Sequence, residues 1–152
     1  MRHAEAVERE KWKGIDRLRP LSDAGERDTA RAAERFAGLG IHLDLIICSP
    51  FARALRTAEL IGAALEKPLV PVTDERLAPG FDEDMLDDIL DEREGIESML
   101  LVGHEPDLGL IVGSLAGCVR IDLKKGAFAL VDIEAESGEG RLLWLVPQRL
   151  ML

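Results

Sequence analysis

Leu45-Ile46-Ile47-Cys48 is an unbroken apolar run, β-branched at its centre and closed by Pro50. Such a run suits a strand covered on both faces, as in a parallel sheet between two layers of helices. Met99-Leu100-Leu101-Val102 repeats the pattern and stops at the turn Gly103-His104-Glu105-Pro106. Helical periodicity follows each run. Leu55, Ala58, Gly62 and Leu65 make one stripe after the first; Leu108, Ile111, Val112 and Leu115 fall at i, i+3, i+4 and i+7 after the second. Leu69-Val70-Pro71-Val72 reads as a short strand confined to an edge by its proline, completing a β-α-β unit. Phe128 to Ile133 and Leu142 to Val146 read as a hairpin turning through Glu136 to Gly140. The expected fold is α/β: a three-layer α/β/α sandwich with a mixed, mostly parallel sheet.

Two further helices are expected. Ser22 and Asp23 can cap the first, with Glu26 three residues beyond Asp23 as in a capping box; Ala30, Ala33 and Ala37 then recur at helical spacing, and Gly38 and Gly40 end it. From Asp82 to Glu94 eight of thirteen residues are acidic, while Met85, Leu86, Ile89 and Leu90 keep a narrow apolar stripe, the pattern of a surface helix. Calcium binding there is disfavoured, because the glycine turn and terminal Glu of an EF-hand loop are missing.

A length of 152 residues suits one domain. With 29 acidic against 19 basic residues and a formal charge of −10, non-specific attraction to nucleic acid or to an anionic membrane is excluded. Any bound anion must therefore meet a local basic pocket. The apolar runs are too short to span a bilayer and no signal-peptide pattern is visible, so a cytoplasmic location is expected. Cys48 and Cys118 lack paired spacing and lie in apolar contexts, which argues for buried thiols rather than zinc or a disulfide.

Three short stretches carry the chemistry. Arg2-His3 lies at the start, Arg53 follows the first buried run, and His104 follows the second; a parallel sheet gathers such residues at its carboxyl end. Two guanidiniums and two imidazoles in one place suit a phosphoryl group. Its transfer spreads negative charge over three oxygens, Arg offers a rigid fork for two of them, and a neutral imidazole can attack phosphorus.

Arg2-His3-Ala4-Glu5, Arg19-Pro20-Leu21-Ser22-Asp23-Ala24-Gly25, Ser49-Pro50-Phe51-Ala52-Arg53-Ala54-Leu55-Arg56-Thr57-Ala58 and Val102-Gly103-His104-Glu105-Pro106 occur in this order. Together they resemble the histidine phosphatase superfamily, a phosphoglycerate mutase-like group, and within it the SixA-type phosphohistidine phosphatases. The resemblance implies that His3 is the nucleophile, that Arg2, Arg53 and His104 hold the phosphoryl oxygens, and that no metal or organic cofactor takes part. It implies hydrolysis of phosphohistidine on a protein, such as a phosphotransfer domain. A small-molecule phosphatase of the same superfamily and a non-catalytic phosphate-binding module are the alternatives. For His3 to attack, a backbone carbonyl should fix one ring nitrogen while the other stays unprotonated, and the rate should fall on the acid side as His3 takes a proton. His104, facing a phosphate, is expected to favour its charged form.

The chain also departs from its relatives. In other branches a Glu shortly after an Arg-Leu pair protonates an alcohol leaving group; here Arg76-Leu77 is followed by Ala78-Pro79-Gly80. A phosphoramidate nitrogen is more easily protonated from solvent, so the missing acid agrees with phosphohistidine, and Glu5, Asp82 and Glu105 remain candidate donors. Arg56 either borders the pocket or is solvated. Lys124 and Lys125 read as an exposed loop pair within reach of an approaching anion, and His42 as structural or exposed. In the resembled family the Arg-His pair ends a central apolar strand, and none precedes it here, so the 1–152 domain is expected to lack its first strand, with Met1 an internal methionine. Adding the in-frame upstream residues should then raise both melting temperature and turnover; equal values for the two forms would refute this.

Overall fold

The computed structural model describes residues 1–93, 95–134 and 137–152. Glu94, at the end of the expected acidic helix, and Glu136, in the expected hairpin turn, lie outside the described residues. The elements are α1 (Asp23–Ala37), β1 (Leu45–Cys48), α2 (Ala52–Ala64), β2 (Val72–Thr73), α3 (Glu83–Asp91), β3 (Met99–Val102), α4 (Asp107–Leu115), β4 (Phe128–Ile133) and β5 (Gly140–Val146). Strands β2, β1 and β3 pair in that order, all parallel, with Leu45 opposite Met99 and Ile47 opposite Val72. Strands β4 and β5 form an antiparallel hairpin.

The first residues join the two halves. His3 N–H donates to the Gly103 carbonyl at 3.0 Å, Gly103 N–H to that of Met1 at 3.2 Å, and Arg2 N–H to that of Ala127 at 3.2 Å. The result is a mixed, mostly parallel sheet between helical layers. Alternation along the strands separates two cores. Ile46, Cys48, Leu100 and Val102 pack toward α1 and α2; Ile47 packs toward Leu86 and Ile89 of α3 and Ile111 of α4. Each such aliphatic side chain contributes about 1.5–3 kcal/mol when fully buried. No helix among the described residues is long and apolar enough to cross a membrane.

Several local expectations are corrected. The edge strand is Val72–Thr73, not 69–72, because Leu69 N–H turns back to the Gly62 carbonyl and Pro71 has no N–H to offer. Ser22 alone caps α1, its hydroxyl accepting from Gly25 N–H at 3.0 Å. No capping box forms, since the Glu26 carboxylate binds Arg56 while Ser22 N–H donates to the Glu5 carbonyl. The buried stripe of α1 is Gly25, Thr29, Ala32, Ala33 and Phe36, shifted from the Ala30/Ala37 line because Phe36 must stack on Phe128, 4.9 Å between ring centres. Cys118 is exposed in the turn after α4, whereas Cys48 is buried as expected.

Gly25 marks the closest approach between α1 and the segment that follows His3. A Cβ there would overlap the Glu5 carbonyl oxygen, which the Ser22 N–H already holds in place. Gly25→Ala should therefore lower stability in urea unfolding by about 1–3 kcal/mol, the scale of overpacking. An unchanged midpoint would show that this contact can relax.

Candidate active site

The carboxyl ends of β1 and β3 deliver the site. Ser49 follows β1 and donates its N–H to the Val102 carbonyl at 2.9 Å; Pro50 then stops the strand, and α2 begins two residues later, placing Arg53 in its first turn. His104 follows β3 by two residues, and Arg2-His3 lies between β3 and the start of β4. A pocket of about 380 Å³ opens here, lined by Arg2, His3, Arg53 and His104 together with Arg9, Arg19, Pro79, Glu105 and Lys125. The four residues singled out in the sequence thus share one cavity.

His3 is 8% exposed and held on both ring nitrogens. Nδ1 lies 2.8 Å from the Ala4 carbonyl, which can only accept, so Nδ1 carries the hydrogen and Nε2 the lone pair. Arg53 Nε–H donates to that Nε2 at 3.2 Å. The main chain around the ring is fixed by Gly126 N–H donating to the His3 carbonyl at 3.1 Å and by Ala4 N–H donating to Thr57 Oγ1 at 3.1 Å. Thr57 is one helical turn beyond Arg53, whose carbonyl its hydroxyl reaches at 2.7 Å, so α2 positions both partners.

His104 Nε2 lies 2.8 Å from the Ser49 hydroxyl, and its ring meets those of His3 and Phe51 edge-on. The Arg53 guanidinium lies 4.9 Å over the Phe51 ring, a cation–π contact. Arg2 donates from Nη1 to the Leu123 carbonyl at 2.8 Å, while its buried Nε has no partner among the described residues.

The other candidates sort clearly. Glu5 is exposed beside Ser22, and Asp82 caps α3 through Met85 N–H, so of the three carboxylates left open as proton donors only Glu105 lines the pocket. Its side chain is 8% exposed, its Oε1 lacks a partner among the described residues, and burial raises its pKa against the pull of Arg2. Arg56 is held by Glu26 and Glu59 away from the pocket, Lys124 pairs with Asp122 while Lys125 reaches the pocket, and exposed His42 bonds Asp44. Sequence reasoning gave no role to Ser49, Thr57 or Arg19, although all three stand inside the matched stretches. It missed Arg9 and Asp16 altogether, because only the folded course of residues 8–19 brings them to Arg53.

Residues 1–79 match the family described as the histidine phosphatase superfamily (branch 1). The phosphohistidine phosphatase SixA of Escherichia coli K12 is 30% identical over 132 residues, covering 85% of this chain and 81% of that protein. The chain belongs to the histidine phosphatase superfamily. An uncharacterized protein of a Picosynechococcus strain is 37% identical over 110 residues, 71% of this chain and 66% of its own length. Among solved structures, the protein histidine phosphatase SixA complexed with tungstate superposes with a TM-score of 0.88 at 28% identity, covering all of this chain and 97% of that one. The alpha-ribazole phosphatase of Shigella flexneri shares the fold at a TM-score of 0.74 and 17% identity, with 97% and 95% of the two chains covered.

In this member of the superfamily the imidazoles are kept neutral by their surroundings. Burial lowers His3 to about 3, with the charges of Arg53 and Arg2 adding to the effect. Burial likewise lowers His104 to about 4, with Arg53 the next cause. Within the protein's own field His104 is neutral, since burial beside guanidiniums disfavours its cation; the charged form is expected opposite a phosphate dianion, whose charge acts against the burial. Protonation of His3 comes much lower than that of an ordinary imidazole. Both pKa values are depressed in the fold, so between an unfolded value of about 6.5 and the folded values the unfolded chain binds more protons. Acid should thus cost stability before it protonates the site: the melting temperature should fall as pH drops from 7 to 5, while the His3 and His104 ring resonances stay constant. A His3 inflection between pH 5 and 7 would contradict the burial argument.

Proposed function

We propose that this protein is a phosphohistidine phosphatase that hydrolyses phosphohistidine on a protein through a phospho-His3 intermediate. One observation carries the reading: a buried imidazole whose Nδ1 is committed to the Ala4 carbonyl and whose Nε2 lone pair faces a pocket lined by guanidiniums. A second imidazole, His104, completes the set. The similarity to SixA, including a structure complexed with the oxyanion tungstate, supports the same chemistry.

In this mechanism Arg53 turns its Nε–H from His3 to a phosphoryl oxygen as substrate enters, which frees the lone pair. Nε2 attacks phosphorus; a new P–N bond forms while the substrate's P–N bond breaks, and the departing imidazole nitrogen takes a proton from solvent. Arg2, Arg53 and His104 donate to the three equatorial oxygens, where charge concentrates in the transition state. Water then attacks the phospho-His3 phosphorus, releasing inorganic phosphate and restoring neutral His3. Pro79 lines the pocket after the Arg76-Leu77 pair and carries no proton, which suits a nitrogen leaving group better than an alkoxide. The carrier of the phosphoryl group on a protein partner, such as a phosphotransfer domain, approaches from the open side.

His3→Ala should abolish turnover and labelling by radioactive phosphate, and Arg2→Ala, Arg53→Ala and His104→Ala should each slow turnover about a hundredfold, the scale for losing one transition-state donor. Activity should withstand EDTA, because the guanidiniums supply the positive charge. The deciding experiment is a panel of phosphohistidine protein, phosphoramidate, p-nitrophenyl phosphate and common phosphate monoesters. Preference for a monoester metabolite would replace this reading with a small-molecule phosphatase, and binding without covalent label would replace it with a phosphate-binding module.

A further inference from the structure

Arg53 is 5% exposed and meets a single carboxylate among the described residues, that of Asp16. Asp16 is the first residue of the short 3-10 turn Asp16–Leu18 and grips Arg53 twice. Its carbonyl accepts from Nη1 at 3.0 Å and its Oδ2 from Nη2 at 3.2 Å. The other carboxylate oxygen, Oδ1, accepts from Arg19 Nε at 2.9 Å and lies 3.5 Å from Arg9 Nε. Arg19 is braced in turn by donating from Nη1 to the Val7 carbonyl at 2.8 Å. One carboxylate therefore stands at the meeting point of three guanidiniums, each of which lines the pocket.

We propose that Asp16 is the positioning residue of this site, acting on the phosphoryl group through Arg53; the inference rests on the phosphatase reading above and extends it to the group that orients the transition-state donors. Arginine has five N–H groups. In Arg53 one on Nε faces His3 and one on each terminal nitrogen is taken by Asp16, so each terminal nitrogen keeps one N–H for a phosphoryl oxygen. The long side chain otherwise has several rotamers and stands beside the like charge of Arg19, which disfavours burial. Asp16 offsets that repulsion and anchors both terminal nitrogens, so that a small turn carries Nε–H from His3 to a phosphoryl oxygen while the guanidinium stays in place. Burial works to raise the Asp16 carboxyl, but hydrogen bonds and charges from Arg19 and Arg53 outweigh it and hold the group below the usual carboxylate range. The facing charged groups are Arg9, Arg19 and Arg53, all cationic, so the fold favours the ionised form of the anchor. Asp16 touches no reacting atom in this scheme; its contribution is geometric, and misplacement of a donor by about 1 Å can cost about a hundredfold in rate.

A double-mutant cycle tests this with phosphoramidate, a small P–N substrate that needs no protein partner. Asp16→Asn should lower kcat by about tenfold or more with a smaller change in KM, and in an Arg53→Ala background the same substitution should change kcat by less than about twofold, because the residue it positions is gone. Equal loss in both backgrounds would overturn the proposal in favour of a general structural role, as would wild-type kcat in Asp16→Asn. If circular dichroism shows Asp16→Asn unfolded, Asp16→Glu carries the same cycle, since it keeps the charge and alters only the geometry. Wild-type turnover of phosphoramidate without any turnover of phosphohistidine protein would sink the substrate assignment while leaving the cycle readable.

Discussion

Everything at this site depends on keeping one imidazole unprotonated amid positive charge. His3 is buried, its Nδ1 is spent on a backbone carbonyl, and its Nε2 accepts from a guanidinium. Burial removes the water that would solvate an imidazolium and the neighbouring cations repel it, and together they outweigh the Ala4 hydrogen bond, which favours it. The same guanidiniums that attract a phosphoryl dianion therefore keep the attacking nitrogen free of a proton. In the proposed mechanism, attraction of substrate and activation of the nucleophile come from one set of charges, so losing an arginine weakens both.

Holding that arrangement falls to backbone more than to side chains. His3 is suspended between Gly103 on one side and Gly126 on the other, and Ala4 N–H is tied to Thr57 on α2. These contacts come from three widely separated parts of the chain, so the ring is oriented only when the sheet and α2 have both formed. The sheet halves themselves meet through Met1–His3. The proposed nucleophile and the structural seam are the same few residues, which links integrity of the fold to the proposed chemistry directly.

Much of this was legible before folding was considered. Continuous apolar runs ending at Pro50 and at Gly103 announced buried parallel strands, and residues just beyond such strands gather at one end of the sheet, which is why Arg53 and His104 could be paired with Arg2-His3. What the sequence concealed was contact made by irregular chain. The carbonyl that accepts from Arg53 has no residue signature, and Asp16 looks like one more surface acid among 29. The buried stripe of α1 keeps Ala33 but replaces Ala30 and Ala37 by Thr29 and Phe36, one position away, because periodicity shows that a helix has an apolar face, while the stacking of Phe36 on Phe128 decides which residues lie at its centre. Cys118 shows the converse limit: apolar neighbours in sequence did not bury it once α4 had ended.

The charge pattern also bears on what can enter. A chain of net charge −10 repels anions at long range, and salt screens that field over roughly 10 Å, so attraction must be generated close to the pocket. There Arg2, Arg9, Arg19, Arg53 and Lys125 face Glu8, Glu10 and Glu105, and Asp16 engages three of those arginines from behind. The field is therefore positive but partly compensated, strong where Arg2 and Arg53 converge and weaker toward the rim, where exposed Glu8 and Glu10 lie. A compact phosphoryl group gains most from such a gradient at its own three oxygens. Substituents farther out meet mixed charge, so they are selected by shape and local complementarity rather than by net attraction, which suits a phosphoryl group presented at the tip of a larger molecule.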